Sequence, residues 1–482
     1  MRHGLKVPRK AKIICTLGPS SNSYEKIKAM VKAGMDVARL NFSHGTHADH
    51  DKVIQIIRRI SRELNKPIAI LQDLQGPKIR VLKFKEGSIE LKRGDIFILT
   101  TRHLLGDNKI VSVSYKAFSR DVKIHDIVLL DDGLLKLKVE NIKGQDVICR
   151  VIFGGVLSSH KGLNLPGNIL SISALTEKDK KDLRFGIKNN VDFVALSFVQ
   201  KPGDITEIKK IISKAKKDIP VVAKIEKPQA VDSIEGIIKE SDVIMVARGD
   251  LGVEVSAEDV PLIQKRIIAL CNKRGIPVIT ATQMLESMIY NPRPTRAEAS
   301  DVANAIIDGT DAVMLSGETA TGKFPVISVQ TMHRIVTLIE KNERSENWQL
   351  RRRDPGQKYS VSSAIGLSAC HAADLVEAVM IVCLTQSGMT ARMISRYRPK
   401  QLLIAITHTE KILRRLNLVW GVLPHSVHEF GDNMDQAIKD ILKMIRQESP
   451  VKKGDKIVIT AGLPFRSRPG TNMLRIEEIT DD

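Results

Sequence analysis

Short apolar runs rich in β-branched residues alternate with helix-period segments eight times between Lys12 and Lys341, with one long interruption after the third unit. The strand-like runs are Lys12 to Leu17, Asp36 to Asn41, Pro67 to Asp73, Asp192 to Ser197, Val221 to Glu226, Asp242 to Ala247, Pro277 to Thr280 and Asp311 to Leu315. Eight successive β/α units can close on themselves, so the pattern predicts an α/β fold of the (β/α)8, or TIM barrel, type, with its chemistry at the carboxyl ends of the strands. The interruption, residues 78–172, has strand-like runs such as Ile96 to Thr100 and Leu135 to Val139, separated by turn signals at Asp132-Gly133 and Lys143-Gly144. It reads as an inserted β domain, because so long a loop without structure of its own is improbable in a compact protein. The barrel is therefore expected over 1–77 and 173–345. Residues 346–359, with Arg351-Arg352-Arg353 and Pro355-Gly356, read as a linker or as the end of the preceding helix, and residues 360–482 alternate again as a C-terminal open α/β domain.

The stretch from Val221 to Glu254 concentrates the chemistry. On a strand, residues two apart share a face, so Lys224 and Glu226 are expected to project together where one strand ends, with Asp250 at the end of the next. Two carboxylates beside a fixed ammonium suit a divalent cation held by oxygen ligands and the phosphoryl or enolate chemistry it assists. A surface ion pair at a strand end is the competing reading, and such pairs contribute little. Arg39, Asn41, Asp73, Thr282, Ser316 and Glu318 also fall at or just past strand ends.

The formal charge of +20 favours anionic partners, whether polyanions or small phosphorylated molecules. Aromatic residues are only 4% of the chain and no helix-turn-helix, zinc-finger or RNA-binding signature accompanies the basic stretches, so small anionic ligands are expected and no specific nucleic acid. Five scattered cysteines without metal or redox spacing point to a reducing compartment. The basic start lacks the apolar run of a signal peptide, and no stretch is long enough to span a membrane, so a cytoplasmic protein is expected.

The residues resemble the pyruvate kinase family over nearly the whole chain. The matching stretches include KIICTLGPS from Lys12, GMDVARLNFSHG from Gly34, VAKIE from Val222, MVARGDLG from Met245, ATQMLESM from Ala281, PRPTRAE from Pro292 and MLSGETA from Met314. The resemblance implies phosphoryl transfer from phosphoenolpyruvate to ADP, a β-barrel lid for the insertion, and a homotetramer. It matches Glu226 and Asp250 to Mg²⁺ (or Mn²⁺) ligands, Lys224 and Arg39 to the cations on the transferring phosphoryl group, and Ala247-Arg248-Gly249-Asp250 with Thr282 to the substrate-carboxylate turn. Asn41, His44, Arg80 and Lys161 match the nucleotide side. Thr282 and Ser316 are expected to order a water chain to the enolate, whose proton donor is not identified.

Asn41, Ser43, Asp73 and the carbonyl of Leu74 resemble a monovalent-cation site, but Leu74, Gln75 and Lys78 stand where potassium-requiring members carry Thr, Lys and Glu. An ammonium at Lys78 would supply the charge that potassium provides, so K⁺ is not expected to be required. In the C-terminal domain, Thr385, Gln386, Ser387, Gly388 and Thr390, with Arg466 and Arg468, resemble a phosphate-binding effector site. Ordinary turns with solvated arginines fit the same residues, leaving a sugar phosphate, AMP or no effector open. Two rivals to the kinase are a Mg²⁺-dependent lyase or aldolase making a pyruvate enolate on the same barrel, and a basic nucleic-acid-binding protein retaining the scaffold.

Overall fold

The computed structural model describes residues 8–168, 171–342, 359–427, 434–448, 451–464 and 470–480. Arg466, Arg468 and nearly all of the expected linker lie outside the described residues. Three strands come first, β1 (Lys12–Leu17), β2 (Val37–Asn41) and β3 (Ala69–Asp73). The insertion follows with β4 (Ser88–Leu91), β5 (Ile96–Thr100), β6 (Ile110–Ser112), β7 (Ile127–Leu130), β8 (Leu135–Lys143), β9 (Asp146–Phe153), β10 (Gly155–Ser158) and β11 (Leu163–Asn164). Then come β12 (Phe193–Leu196), β13 (Val221–Ile225), β14 (Val243–Ala247), β15 (Val278–Ala281) and β16 (Ala312–Leu315). Strands β1 to β3 and β12 to β16 close into one parallel eight-stranded barrel, with β16 pairing back onto β1. Helices between them start cleanly: Thr46, Thr176 and Thr295 each form a capping box, so two otherwise orphaned amides at each start are satisfied.

Side-chain alternation sorts the barrel strands into two faces. Val221, Ala223 and Ile225 join the apolar layer against the helices, whereas Val222 joins the barrel interior with Ile14, Val37, Leu71, Ala195 and Met314. Two residues further towards the rim the same inward parity carries Thr16, Arg39, Asp73, Ser197, Lys224 and Ser316. The barrel filling thus changes from apolar to polar at the carboxyl ends of the strands, and that change creates the site.

The opposite end has its own pattern. Every second barrel strand is preceded immediately by an aspartate whose Oδ2 accepts the amide of a residue at the start of a neighbouring strand: Asp36 from Ile13 (2.9 Å), Asp192 from Ile70 (2.8 Å), Asp242 from Val221 (2.9 Å) and Asp311 from Val278 (2.9 Å). Each carboxylate also meets a cation, namely Arg9, Arg58, Lys209 and Arg398 respectively, and Asp192 takes a second, Arg414. Arg398 and Arg414 come from the C-terminal segment, which also inserts Leu418 into the apolar filling of the barrel.

The insertion packs around its own apolar core, including Phe97, Phe118 and Leu137. Six of its strands form a sheet in the order β11-β7-β8-β9-β5-β6. Its two edges are joined by Arg80, bridged to Gly162 beside β11, and Val81, bridged to Val113 beside β6, so the sheet curls back on itself. The C-terminal segment adds β17 (Met380–Leu384), β18 (Leu402–Thr407), β19 (Val422–Ser426), β20 (Lys456–Ala461) and β21 (Met473–Glu478) in the order β19-β18-β17-β20-β21, with only β21 antiparallel. Among the described residues no helix is long and apolar enough to cross a membrane.

Between β13 and β14 run two helices, Pro228–Asp232 and Ile234–Glu240, meeting at Ser233. One local expectation is corrected: Asp250 does not end a strand, because β14 stops at Ala247 and Asp250 lies in the helix Arg248–Glu254. The glycines of this segment read as a turn, but Arg248, Leu251 and Glu254, three apart, bury one face and make the segment helical.

Candidate active site

Lys224 is the centre of the polar rim layer. Its Nζ lies 2.9 Å from Glu226 Oε1, 3.4 Å from Asp73 Oδ1 and 2.7 Å from Ser197 Oγ, to which it donates. Burial opposes its charge, but Asp73 and Glu226 outweigh that effect and hold the ammonium above its ordinary pKa. Arg39 reaches the same aspartate from β2, with Nε 2.7 Å from Asp73 Oδ2, and donates from Nη1 to Thr16 Oγ1 at 2.8 Å. Burial pushes the Asp73 carboxyl up, yet Lys224 and Arg39 bring it below its ordinary range. The site is therefore a charged network at working pH, nearly all of it buried.

Glu226, like Asp73, has one carboxylate oxygen without a hydrogen bond among the described residues. Its Oε2 accepts the Phe198 amide at 2.8 Å, while Oε1 faces Lys224 without a hydrogen bond of good geometry. Burial, with added repulsion from Asp250, raises the Glu226 carboxyl above its ordinary range despite Lys224. Glu226 with Asp250 near it suits a divalent cation taking two protein oxygens and leaving its other positions to substrate and water. Among the described residues no cluster of three or more His, Cys, Asp or Glu is poised to hold a metal.

Arg248 and Thr282 belong to the architecture of the site. The Arg248 guanidinium points away from the rim network: Nη1 meets Asp301 at 2.7 Å, and Nη2 donates to the carbonyls of Thr282 (2.8 Å) and Gln283 (3.3 Å). Thr282 and Gln283 both have left-handed backbone, φ 69° and 53°, and the Thr282 hydroxyl accepts the Gly249 amide at 2.7 Å. Ser316 Oγ is buried without a partner among the described residues, and its amide donates to Glu318 at 2.7 Å.

Of the residues assigned to the nucleotide side, His44 is exposed, Asn41 accepts the Ser43 amide at 3.1 Å, and Arg80 donates to the carbonyl of His160 at 2.8 Å. Lys161 pairs with Asp131 at 2.9 Å within the insertion. Lys78 lines a cleft between barrel and insertion together with Asp250, Gln200 and Lys227. The structure does not bring Lys78 to Asp73: among the described residues it makes no ion pair, and the Leu74 carbonyl accepts Ser197 Oγ–H at 2.8 Å. In the C-terminal segment, Thr385 Oγ1 accepts the Gly388 amide at 2.9 Å, Ser387 Oγ accepts the Met389 amide at 3.4 Å, and Thr390 Oγ1 is bonded to Thr471 at 2.7 Å. Sequence reasoning passed over Ser197, Phe198 and Asp301, whose roles depend on backbone turns and on distant elements.

A sequence-family profile described as the pyruvate kinase barrel domain matches residues 8–329, and one described as the pyruvate kinase alpha/beta domain matches residues 363–477. The chain is 48% identical over 475 residues to a pyruvate kinase of Clostridium perfringens, covering 98% of this chain and 100% of that one. It is 46% identical over 477 residues to pyruvate kinase 2 of Synechocystis sp., covering 98% and 80% respectively. The crystal structure of a pyruvate kinase from Cryptosporidium parvum superposes with a TM-score of 0.93 at 38% identity, covering 98% of this chain and 96% of that one.

Proposed function

The chain belongs to the pyruvate kinase family, and from that premise we propose how its residues divide the reaction. The enzyme is a glycolytic phosphotransferase that passes the phosphoryl group of phosphoenolpyruvate to ADP and releases pyruvate. In this reading Lys224 and Arg39 face the transferring phosphoryl group and stabilise the charge on its oxygens. Glu226 and Asp250 are the residues that would hold Mg²⁺ or Mn²⁺, the cations the family generally uses; when bound, the cation offsets charge on phosphate and enolate oxygens. The substrate carboxylate lies against the Ala247 to Asp250 main chain and Thr282, and Thr282 with Ser316 orders the water that delivers a proton to the enolate. Asn41, His44, Arg80 and Lys161 form the nucleotide side.

The observation that carries this reading is the buried network of Lys224, Arg39, Asp73 and Glu226, in which the Lys224 ammonium sits between the two carboxylates at the rim. The wider reading places the barrel at 1–77 and 173–345, the lid at 78–172, the linker at 346–359 and an effector domain at 360–482, in a cytoplasmic homotetramer. An effector phosphate would meet Thr385, Gln386, Ser387, Gly388 and Thr390, with Arg466 and Arg468. Lys78 at the barrel–lid cleft, in place of an acidic residue, supports turnover without K⁺, in a site otherwise formed by Asn41, Ser43, Asp73 and Leu74. Pyruvate formation from phosphoenolpyruvate and Mg²⁺ is expected only when ADP is present. Pyruvate formed from phosphoenolpyruvate without ADP would mean that the phosphoryl group passes to water instead, and would overturn the phosphotransfer assignment of these residues.

A further inference from the structure

Two consecutive residues past the rim end of β12 hold the two groups on which the proposed chemistry depends. Ser197 Oγ donates its proton to the Leu74 carbonyl at 2.8 Å, which leaves its lone pairs for the Lys224 ammonium 2.7 Å away. One residue on, the Phe198 amide donates to Glu226 Oε2 at 2.8 Å. Phe198 has left-handed backbone, φ 55°, a conformation uncommon for a bulky side chain, so the chain turns sharply just after these two groups.

The turn is braced from outside. Gly76, itself at φ 68°, packs so closely that a Cβ there would lie 2.8 Å from Phe198 Cδ2 and 2.9 Å from Ser197 Cβ. Gly76 and Pro77 are the point at which the chain leaves the barrel for the insertion, so the entry to the insertion rests on this turn.

We propose that Ser197 and Phe198 are positioning residues: the Ser197 hydroxyl sets the Lys224 ammonium and the Phe198 amide sets the Glu226 carboxylate, so that one strained turn fixes their relative placement. This rests on the roles assigned to Lys224 and Glu226 above. Neither residue is assigned a substrate contact; Ser197 acts through Lys224 and Phe198 through Glu226.

The test uses the full chain with three kinds of measurement. Ser197→Ala is expected to lower kcat roughly tenfold to a hundredfold while KM for phosphoenolpyruvate moves less than about threefold, because the hydrogen bond to a charged group is lost at a transition-state contact. Phe198→Asn and Phe198→Val both remove the ring, but asparagine tolerates left-handed backbone and a β-branched valine does not. Mn²⁺ affinity, measured by calorimetry without substrates, is expected to weaken roughly tenfold or more in Phe198→Val and to stay near the parent value in Phe198→Asn. Melting temperatures accompany each variant, and if Ser197→Ala does not fold, Ser197→Cys repeats the test with a weak acceptor of similar size. A kcat within about twofold of the parent on loss of the hydroxyl overturns the role of Ser197, and equal Mn²⁺ affinity in the two Phe198 variants overturns that of Phe198. Lys224→Met, assayed alongside, separates the assignments: if it retains turnover the role of Lys224 itself fails, whereas its loss of turnover beside an active Ser197→Ala removes only the positioning inference.

Discussion

Arg248 and the segment around Thr282 are stitched together in both directions, with Arg248 Nη2 donating to the Thr282 carbonyl at 2.8 Å and Thr282 Oγ1 accepting the Gly249 amide at 2.7 Å. The pair of contacts holds a β-branched residue at φ 69°, where it would not rest alone. Arg248→Lys keeps the charge but loses the fork that reaches Asp301 and two carbonyls at once. Steady-state kinetics should show kcat lowered roughly tenfold or more, with a lower melting temperature. Unchanged kinetics would mean that the Thr282 backbone holds its shape without this brace.

Replacing Lys224 by Met removes the cation that Asp73 and Glu226 share. A fall in kcat of roughly a hundredfold or more is expected, larger than any change in KM for phosphoenolpyruvate. Circular dichroism of the variant checks that two unneutralised carboxylates have not opened the barrel rim.

Potassium dependence is the sharpest question about Lys78. In a buffer whose sole monovalent cation is tetramethylammonium, pyruvate formation is expected to be complete, and added K⁺ should change it little. Lys78→Glu should then create a K⁺ requirement. Activity of the parent enzyme that appears only with K⁺ would remove the role given to Lys78 and would leave the kinase assignment intact.

The barrel floor gives a stability prediction with an order to it. Arg398→Met strips Asp311, a buried carboxylate, of the arginine beside it, and should destabilise the protein by about 3–5 kcal/mol. Arg414→Met leaves Asp192 paired with Arg58 and should be milder. Urea unfolding of both variants tests the ranking.

Acid stability follows from Asp36 and Asp73. Burial alone would raise both carboxyls, but Arg9, Lys66 and Lys12 around Asp36, and Lys224 and Arg39 around Asp73, bring them below the ordinary carboxylate value. A depressed folded pKa stabilises the native state above the unfolded value, near pH 4, and that contribution is lost as the pH falls through the folded pKa. The melting temperature should therefore hold down to about pH 5 and fall below about pH 4, with a shallower acid limb in Asp36→Asn.

The barrel was legible because its strands are apolar on both faces and its helices are not, a contrast that survives in sequence as simple alternation. β4 and β10 were missed because they are four residues each and only one residue of each is buried. β19 contains Pro424, which is tolerable only because this strand lies at a sheet edge. β21, at the other edge, is half charged. Within the site, the shared face of Lys224 and Glu226 followed from strand parity, whereas the placement of Asp250 in a helix did not. Ser197 and Phe198 were invisible for a further reason: their roles rest on a left-handed residue, which leaves no mark in a sequence when the residue is not glycine.

The four floor aspartates divide the barrel into four two-strand modules, each leaving a carboxylate at its base that must be neutralised when the ring closes. Three of them find a cation within the barrel's own sequence, but the last module has Arg398 at Asp311, supplied from beyond residue 360, and the fourth strand takes Arg414 from the same source. The C-terminal segment thus completes the charge balance of the barrel floor. A barrel cut out at residue 342 would keep every residue proposed for catalysis yet lose the counter-charges of its own foundations, and a domain grafted in its place would need arginines at these two positions before it needed anything else.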